Sequence, residues 1–314
     1  MNINSLPKNL TLVVGGAGFI GHSFVEHLSK LGNRNVAIIG RSSEPRTKLP
    51  QNTFYLSGDI SDERFIRPLL EKTTEVVDLA YGTTPKTSFE DPVRDVILNL
   101  PFSVSLMRMS CEHDIGRYLL VSSGGTVYGN TSSLPIRENE PNNPISPYGI
   151  SKLVTEKYGQ FFHKLGKLPL LIARPANAYG LMQVGKYSQG FIGVAIHAAL
   201  NGQPIEIYGR RGSIRDYIYI SDMASGLCSI LDKGLIGEIY NIGTSVGHDN
   251  MDVIQTLGNL IGDSHPLKIV HLDERPFDVP ANVLNYEKLK ATTNWSPAYS
   301  LKDGVAEILK LIDK

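Results

Sequence analysis

The stretch Leu10-Thr11-Leu12-Val13-Val14-Gly15-Gly16-Ala17-Gly18-Phe19-Ile20-Gly21 decides the fold. Its first five residues are apolar or β-branched and read as a buried strand, and Phe24, Val25, Leu28 and Leu31 then recur at helical spacing. A chain that turns from strand to helix through glycines lets a pyrophosphate reach its backbone, where free N–H groups and the positive end of the helix dipole meet it. The last glycine lets helix and strand pack closely. Glycines at this spacing also occur in plain tight turns, but the strand before and the helix after favour a dinucleotide site. Gly15, Gly18, Phe19, Ile20 and Gly21 are therefore candidate cofactor contacts.

Outward from this turn, short β-branched runs alternate with helical patterns. Leu10–Val14, Val36–Ile39, Thr53–Leu56, Val76–Leu79, Tyr118–Ser122 and Leu170–Ala173 read as strands of a parallel, doubly wound α/β sheet of Rossmann type. Leu79 and Ala80, where the fourth strand ends, join the candidate cofactor contacts. Val154, Tyr158, Phe161, Phe162 and Leu165 line one face of a later helix, whose other face is more polar and reads as the solvent side. Arg41–Gln51 and Asn130–Pro147 are irregular. After about Tyr179 the pattern loosens, with helices near Phe191–Asn201 and Asp249–Ile261 and strands near Pro204–Tyr208 and Lys268–Leu272. The expected division is a dinucleotide-binding domain over residues 1–180 and a smaller α/β substrate lobe over 181–314, with segments near 213–245 returning to the first domain.

Composition narrows the function. Lysine and arginine total 31, aspartate and glutamate 31, so the formal charge is zero and the electrostatic argument for nucleic acid falls away. The 41% hydrophobic and 20% charged content over 314 residues is that of an ordinary globular protein rather than a disordered, collagen-like or coiled-coil one. Cys111 and Cys228 show no metal-ligand spacing, so no metal is expected and a reduced, cytoplasmic setting fits. Lys8 before an apolar run imitates a secretory leader, but the glycines break it and His22 and Glu26 follow at once. No stretch reaches the length needed to span a bilayer.

Two positions bear on which dinucleotide binds. NAD sites usually carry an acid at the end of the second strand, and here Gly40 stands there, followed by Arg41. A guanidinium matches a 2′-phosphate, so NADP is favoured over NAD, the alternative for Arg41 being a solvated loop residue. Asp59, with Ile60, follows the third strand, where it would accept from the adenine amino group or cap a helix beginning near Ser61.

The catalytic candidates lie beyond Ser122-Ser123-Gly124-Gly125-Thr126-Val127-Tyr128-Gly129, in Pro147-Tyr148-Gly149-Ile150-Ser151-Lys152. Tyr148 and Lys152 are four apart and share a helix face. A phenol beside an ammonium and a nicotinamide cation should ionise more easily than its reference value of about 10, and then serve as base at a sugar hydroxyl.

At these residues the sequence resembles the extended short-chain dehydrogenase/reductase family, in its nucleotide-sugar epimerase and dehydratase branch. The resemblance runs through Gly15, Gly18 and Gly21, Asp59, Ser122–Gly129, Tyr148 with Lys152, and Arg174-Pro175-Ala176-Asn177-Ala178-Tyr179-Gly180. It continues through Tyr208-Gly209, Arg215-Asp216-Tyr217, Asp222, Asn241-Ile242-Gly243, Arg275-Pro276-Phe277-Asp278 and Trp295-Ser296-Pro297. It implies a nucleotide-diphosphate sugar between two lobes, Tyr148 as acid/base, Lys152 on the nicotinamide ribose, Asn177 on the sugar or diphosphate, and Arg215 and Arg275 clamping the diphosphate. Arg215 could instead pair with Asp216. It also implies a homodimer formed through helical faces near Val96–Met109 and Lys152–Leu165, although those apolar residues could belong to the domain's own core.

One departure stands out. Family members commonly carry Ser or Thr at the position of Gly124, so Ser123 or Thr126 must supply that hydroxyl, with Ser123 preferred. The dehydratases carry an acid pair at this site, whereas Gly124-Gly125-Thr126 has none, which argues against a 4,6-dehydratase. In hexose-restricted epimerases a tyrosine lies seven residues after the arginine matching Arg275; here Asn282 stands there, leaving room for an N-acetylated hexosamine. The leading expectation is a UDP-hexose or UDP-N-acetylhexosamine 4-epimerase using NAD(P). The alternatives are an NADPH-dependent 4-keto nucleotide-sugar reductase and an inactive binding protein of the same fold.

Overall fold

The computed structural model describes residues 3–45, 48–185, 190–262, 266–273 and 279–312, and its first strand, β1 (Leu10–Val14), is buried at every residue. From β1 the chain continues through α1 (Phe19–Leu31), β2 (Asn35–Gly40), β3 (Thr53–Ser57), α2 (Glu63–Leu70), β4 (Thr73–Asp78), α3 (Pro85–Glu90) and α4 (Pro92–Ser110). Next come β5 (Arg117–Val121), α5 (Gly124–Val127), α6 (Pro147–Lys164), β6 (Leu170–Pro175), β7 (Asn177–Tyr179), α7 (Phe191–Leu200), β8 (Pro204–Tyr208) and β9 (Ile214–Tyr219). The remainder is α8 (Ile220–Lys233), β10 (Ile239–Ile242), β11 (Gly247–His248), α9 (Asn250–Ile261), β12 (Lys268–Leu272), β13 (Ala281–Asn282), α10 (Glu287–Thr293) and α11 (Leu301–Ile312).

Seven parallel strands form the main sheet in the order β10-β6-β5-β4-β1-β2-β3, the doubly wound arrangement that the strand-helix alternation predicts. Consecutive side chains fall on opposite faces. Val13, Ile38, Val77, Leu119 and Leu171 enter one core, while Leu12, Ala37, Val76, Tyr118 and Leu170 enter the other. A third core, including Ile196, Ile207, Tyr217, Val253 and Val305, gathers the later elements. There β9 pairs with β7, β11 and β13, and β8 pairs with β12. The seventh strand of the main sheet, β10, has no counterpart among the expected strands; it pairs with β6 while α8 packs against α1.

Three expectations need correction. The fourth strand sits earlier, at Thr73–Asp78, because its register against β1 runs from Leu10 with Thr73 to Val14 with Asp78. Leu31 is 47% exposed, since α1 ends there at left-handed Gly32 and buries only Phe24, Val25 and Leu28 of the expected stripe. The largest reversal is in α6. Its inward face is small and polar, with Gly149, Ser151, Lys152, Thr155, Glu156 and Gly159, and Tyr158, Phe161 and Leu165 point outward. The polar side is inside because Glu156 pairs with Arg174 at 2.6 Å, both fully buried, and Lys152 serves the site described below. No described helix is long and apolar enough to cross a membrane.

Candidate active site

The cofactor side is a cradle of backbone. Gly15 adopts φ +85°, and a Cβ there would lie 2.8 Å from the Leu79 carbonyl carbon and 2.9 Å from the Ala80 nitrogen. A Cβ on Gly21 would lie 2.2 Å from the Gly15 carbonyl oxygen, so neither position admits a side chain. Gly18 caps α1 with no side-chain acceptor, which leaves the first-turn N–H groups of Phe19 and Ile20 available to an anion. These residues fit the pyrophosphate of a dinucleotide.

At the end of β2, a Cβ on Gly40 would lie 2.2 Å from the Tyr55 hydroxyl oxygen, which itself donates to the Ser42 carbonyl at 2.9 Å. Tyr55 thus occupies the space an acid at residue 40 would need. Arg41 is exposed beside it and close enough to Asp59 to help lower its pKa. Asp59 does not cap a helix: α2 begins at Glu63 under Asp62, which accepts from the Arg64 N–H. Asp59 instead accepts from the Ser61 N–H and hydroxyl at 2.9 and 2.8 Å, the chief reason its carboxyl lies below the usual range. Ile60 is half-buried against the core.

The candidate catalytic pair stands at the start of α6. Ser146 caps this helix, accepting from the Gly149 N–H at 3.1 Å, and Pro147 fills its first turn. The Tyr148 N–H donates to Ser88 Oγ at 3.2 Å. One turn on, Lys152 Nζ donates to the Val121 carbonyl at 3.0 Å and lies 4.1 Å from the centroid of the Tyr81 ring and 5.9 Å from that of Tyr148. The two tyrosine rings meet edge to face with centroids 4.8 Å apart.

The expected easing of Tyr148 ionisation is not what these surroundings produce. Burial raises the phenol above its ordinary range, and the Asp95 carboxylate adds to the rise. Lys152 commits its ammonium to Val121 and the face of Tyr81. Burial also brings Lys152 down to about 8, opposed by Asp78, Glu156 and Asp95. Asp95 is itself held by the Thr83 hydroxyl and by the Asn99 amide at 3.3 Å.

On the substrate side, Ser123, Gly125 and Asn177 surround one spot. A Cβ on Gly125 would lie 3.6 Å from Asn177 Oδ1 and 3.9 Å from Ser123 Oγ, ordinary contacts with room for more. Ser123 begins α5 without using its hydroxyl as a cap. The Thr126 hydroxyl is buried, with no hydrogen-bond partner among the described residues. Gly124 is a different case: a Cβ there would lie 2.4 Å from Leu284 Cδ1 and 2.9 Å from the Arg174 carbonyl oxygen. Asn282 is fully buried and donates to the Gly124 carbonyl at 3.0 Å, so it holds this turn from behind. Arg215 Nη1 donates to the carbonyls of Ile214 and Val279 at 2.9 and 2.7 Å. Its alternative partner Asp216 is instead buried and accepts from Thr244, Ser245 and Leu284. Arg275 lies outside the described residues.

The sequence reading missed Tyr81 and Asp78. A tyrosine directly after Leu79-Ala80 and a carboxylate ending the apolar run Val76-Val77 were the available signals.

Comparison with known proteins agrees with this geometry. The family described as NAD dependent epimerase/dehydratase matches residues 11–243. A putative UDP-glucose 4-epimerase of Methanocaldococcus jannaschii is 30% identical over 302 residues, covering 96% of this chain and 97% of that one. The crystal structure of the Thermotoga maritima UDP-glucose 4-epimerase with UDP-glucose superposes with a TM-score of 0.88 at 30% identity, over 97% of this chain and 99% of that one. The Thermus thermophilus UDP-glucose 4-epimerase in complex with NAD gives 0.86 at 28% identity, over 96% and 97%. Relatives of comparable likeness include a dTDP-glucose 4,6-dehydratase and a dTDP-4-dehydro-6-deoxyglucose reductase.

Proposed function

The chain belongs to the NAD dependent epimerase/dehydratase family, and on that premise we propose that it is a nucleotide-sugar 4-epimerase. Its substrate is a UDP-hexose or UDP-N-acetylhexosamine, and its reaction passes through a transient 4-keto sugar. The observation that carries this reading is the pair of half-buried Tyr148 and buried Lys152 on α6, in a chain whose glycine cradle fits a dinucleotide. Gly124-Gly125-Thr126 supplies no acid where a dehydratase needs one, although Gly125 has room for a side chain.

The nicotinamide dinucleotide, held by Gly15, Gly18, Phe19, Ile20 and Gly21 with Leu79 and Ala80 behind, supplies the acceptor and donor for the C4 hydride. Tyr148 takes the proton from O4 as C4 is oxidised, and returns it after the 4-keto sugar has turned over. Lys152, as an ammonium, binds the nicotinamide ribose and offsets the negative charge that burial makes costly on Tyr148. Ser123 gives the sugar the hydroxyl that Gly124 lacks, Asn177 contacts the sugar or diphosphate, and Arg215 and Arg275 clamp the diphosphate. The N-acetylhexosamine alternative rests on the absence of a tyrosine at residue 282; Asn282 itself is fully buried behind the Gly124 turn and touches that backbone, not the sugar.

Two finer points follow. Val93, Val96 and Ile97 of α4 and Ile150, Phe161 and Leu165 of α6 are all exposed, an apolar surface best explained as the face of a homodimer. Light scattering on the eluting protein tests this. The exposed Arg41 favours a 2′-phosphate and hence NADP, which also supports the second reading, an NADPH-dependent 4-keto nucleotide-sugar reductase. Denaturing the purified protein and weighing any released dinucleotide separates the two. Near-stoichiometric NAD or NADP supports the epimerase; an empty protein that takes up NADPH reversibly supports the reductase.

A further inference from the structure

The Lys152 ammonium reaches a small cavity of about 10 Å³, lined by Asp78, Tyr81, Ser103, Ser122, Lys152 and Thr155 among others. That is the volume of one bridging water. Asp78 is 2% exposed at the end of β4 and accepts from the Ala80 N–H at 3.2 Å and the Tyr118 hydroxyl at 3.3 Å. Among the described residues it makes no ion pair. The Ser122 hydroxyl, on the same cavity, is buried without a partner among them. We infer that Asp78 is a positioning residue, the counter-ion that holds Lys152 as an ammonium from across this cavity. The inference rests on the role given to Lys152 above and extends it.

The other ionisable groups that act on Lys152 or lie near it differ from Asp78 in partner, charge or position. Glu156, on α6 itself, is paired with Arg174 at 2.6 Å. Asp95, on α4, accepts from the Thr83 hydroxyl and the Asn99 amide through Oδ1 alone, with Oδ2 buried and unpartnered among the described residues, and it does not line the cavity. Tyr81, Tyr118 and Tyr148 are all held neutral by burial. Asp78 is the carboxylate that shares the cavity with Lys152, and it leads the charges that hold Lys152 up against burial. Lys152 in turn restrains the rise of Asp78, which burial takes to about 6. Each charge thus favours the ionised form of the other against burial. Removing one partner of a buried pair leaves the other charge uncompensated, and a lysine escapes that cost by losing its proton.

The test is Asp78→Asn, read first by NMR titration of lysine labelled with ¹³C at Cε, which needs no turnover, and then by the pH profile of kcat/KM. The Lys152 midpoint is expected to fall by about one unit or more, a tenfold change in proton affinity. The basic limb of kcat/KM should move down with it, so that the loss of activity grows with pH. An unmoved midpoint, an equal loss of activity at all pH values, or a larger shift from Asp95→Asn would overturn the inference. Should Asp78→Asn not fold, the wild-type protein decides: the Asp78 carboxyl and Lys152 Cε signals must each report the other's titration, and independence overturns the pairing. Because the midpoint is read without substrate, a failed epimerase assay leaves this test standing.

Discussion

Two strands of the main sheet end in glycine turns that open helices, β1 through Gly15-Gly16-Ala17-Gly18 into α1 and β5 through Ser122-Ser123-Gly124-Gly125 into α5. In the first, the glycines answer to the backbone around them: Gly21 leaves 2.2 Å between its missing Cβ and the Gly15 carbonyl, and Gly15 lies on Leu79. In the second, Gly124 answers to a side chain 160 residues away, since Leu284 fills the space where a relative's serine or threonine would stand. The same residue type records a local constraint in one turn and a tertiary one in the other. On the proposed function, the first turn serves the cofactor through its backbone, and Ser123 supplies the hydroxyl at the second.

The sharpest way to separate the two turns from the chemistry is Tyr148→Phe. It should lower turnover by about 10²- to 10⁴-fold while leaving dinucleotide binding intact, measured by steady-state rates and released cofactor. Near-normal turnover would remove Tyr148 from the mechanism. Gly21→Ala should weaken dinucleotide affinity by roughly 10- to 100-fold and destabilise the fold by about 1–3 kcal/mol, because its Cβ meets backbone that has little freedom to yield. Calorimetric titration and thermal melting read both effects.

Gly124→Ser should cost about 1–3 kcal/mol alone, and combined with Leu284→Ala it should show a favourable coupling of about 1 kcal/mol, since the truncated neighbour makes room. Additive costs in the double-mutant cycle would mean that the Arg174 carbonyl, not Leu284, excludes the side chain. The smallest effect belongs to Arg41→Ala, expected to reduce NADP affinity about tenfold or less and leave NAD unchanged. Equal losses for both cofactors would return Arg41 to the role of a solvated loop residue.

This contrast also explains what the sequence could and could not reveal. The first turn, its strand and its helix are legible because the constraint lies within about a dozen residues, and β1, β8 and β12 match their expected limits for similarly local reasons. Tyr148 and Lys152 are legible as a pair because helical spacing alone puts them on one face. What surrounds them is not: Asp78, Tyr81 and Asp95 come from different segments, and nothing in periodicity predicts that Asp95 raises Tyr148 or that Asp78 and Tyr81 lie beside Lys152. The outward apolar face of α6 was misread for the same reason, since its orientation depends on the buried Arg174–Glu156 pair rather than on the helix's own pattern.

The central claim is that hydride leaves and returns at C4 within one active site. Incubating the protein, with no cofactor added, with UDP-glucose and UDP-N-acetylglucosamine carrying deuterium at C4 tests it directly. The account predicts formation of the 4-epimer of at least one substrate with the deuterium still at C4. A protein that leaves both sugars unchanged, and consumes one NADPH for each 4-keto sugar it reduces, would contradict it.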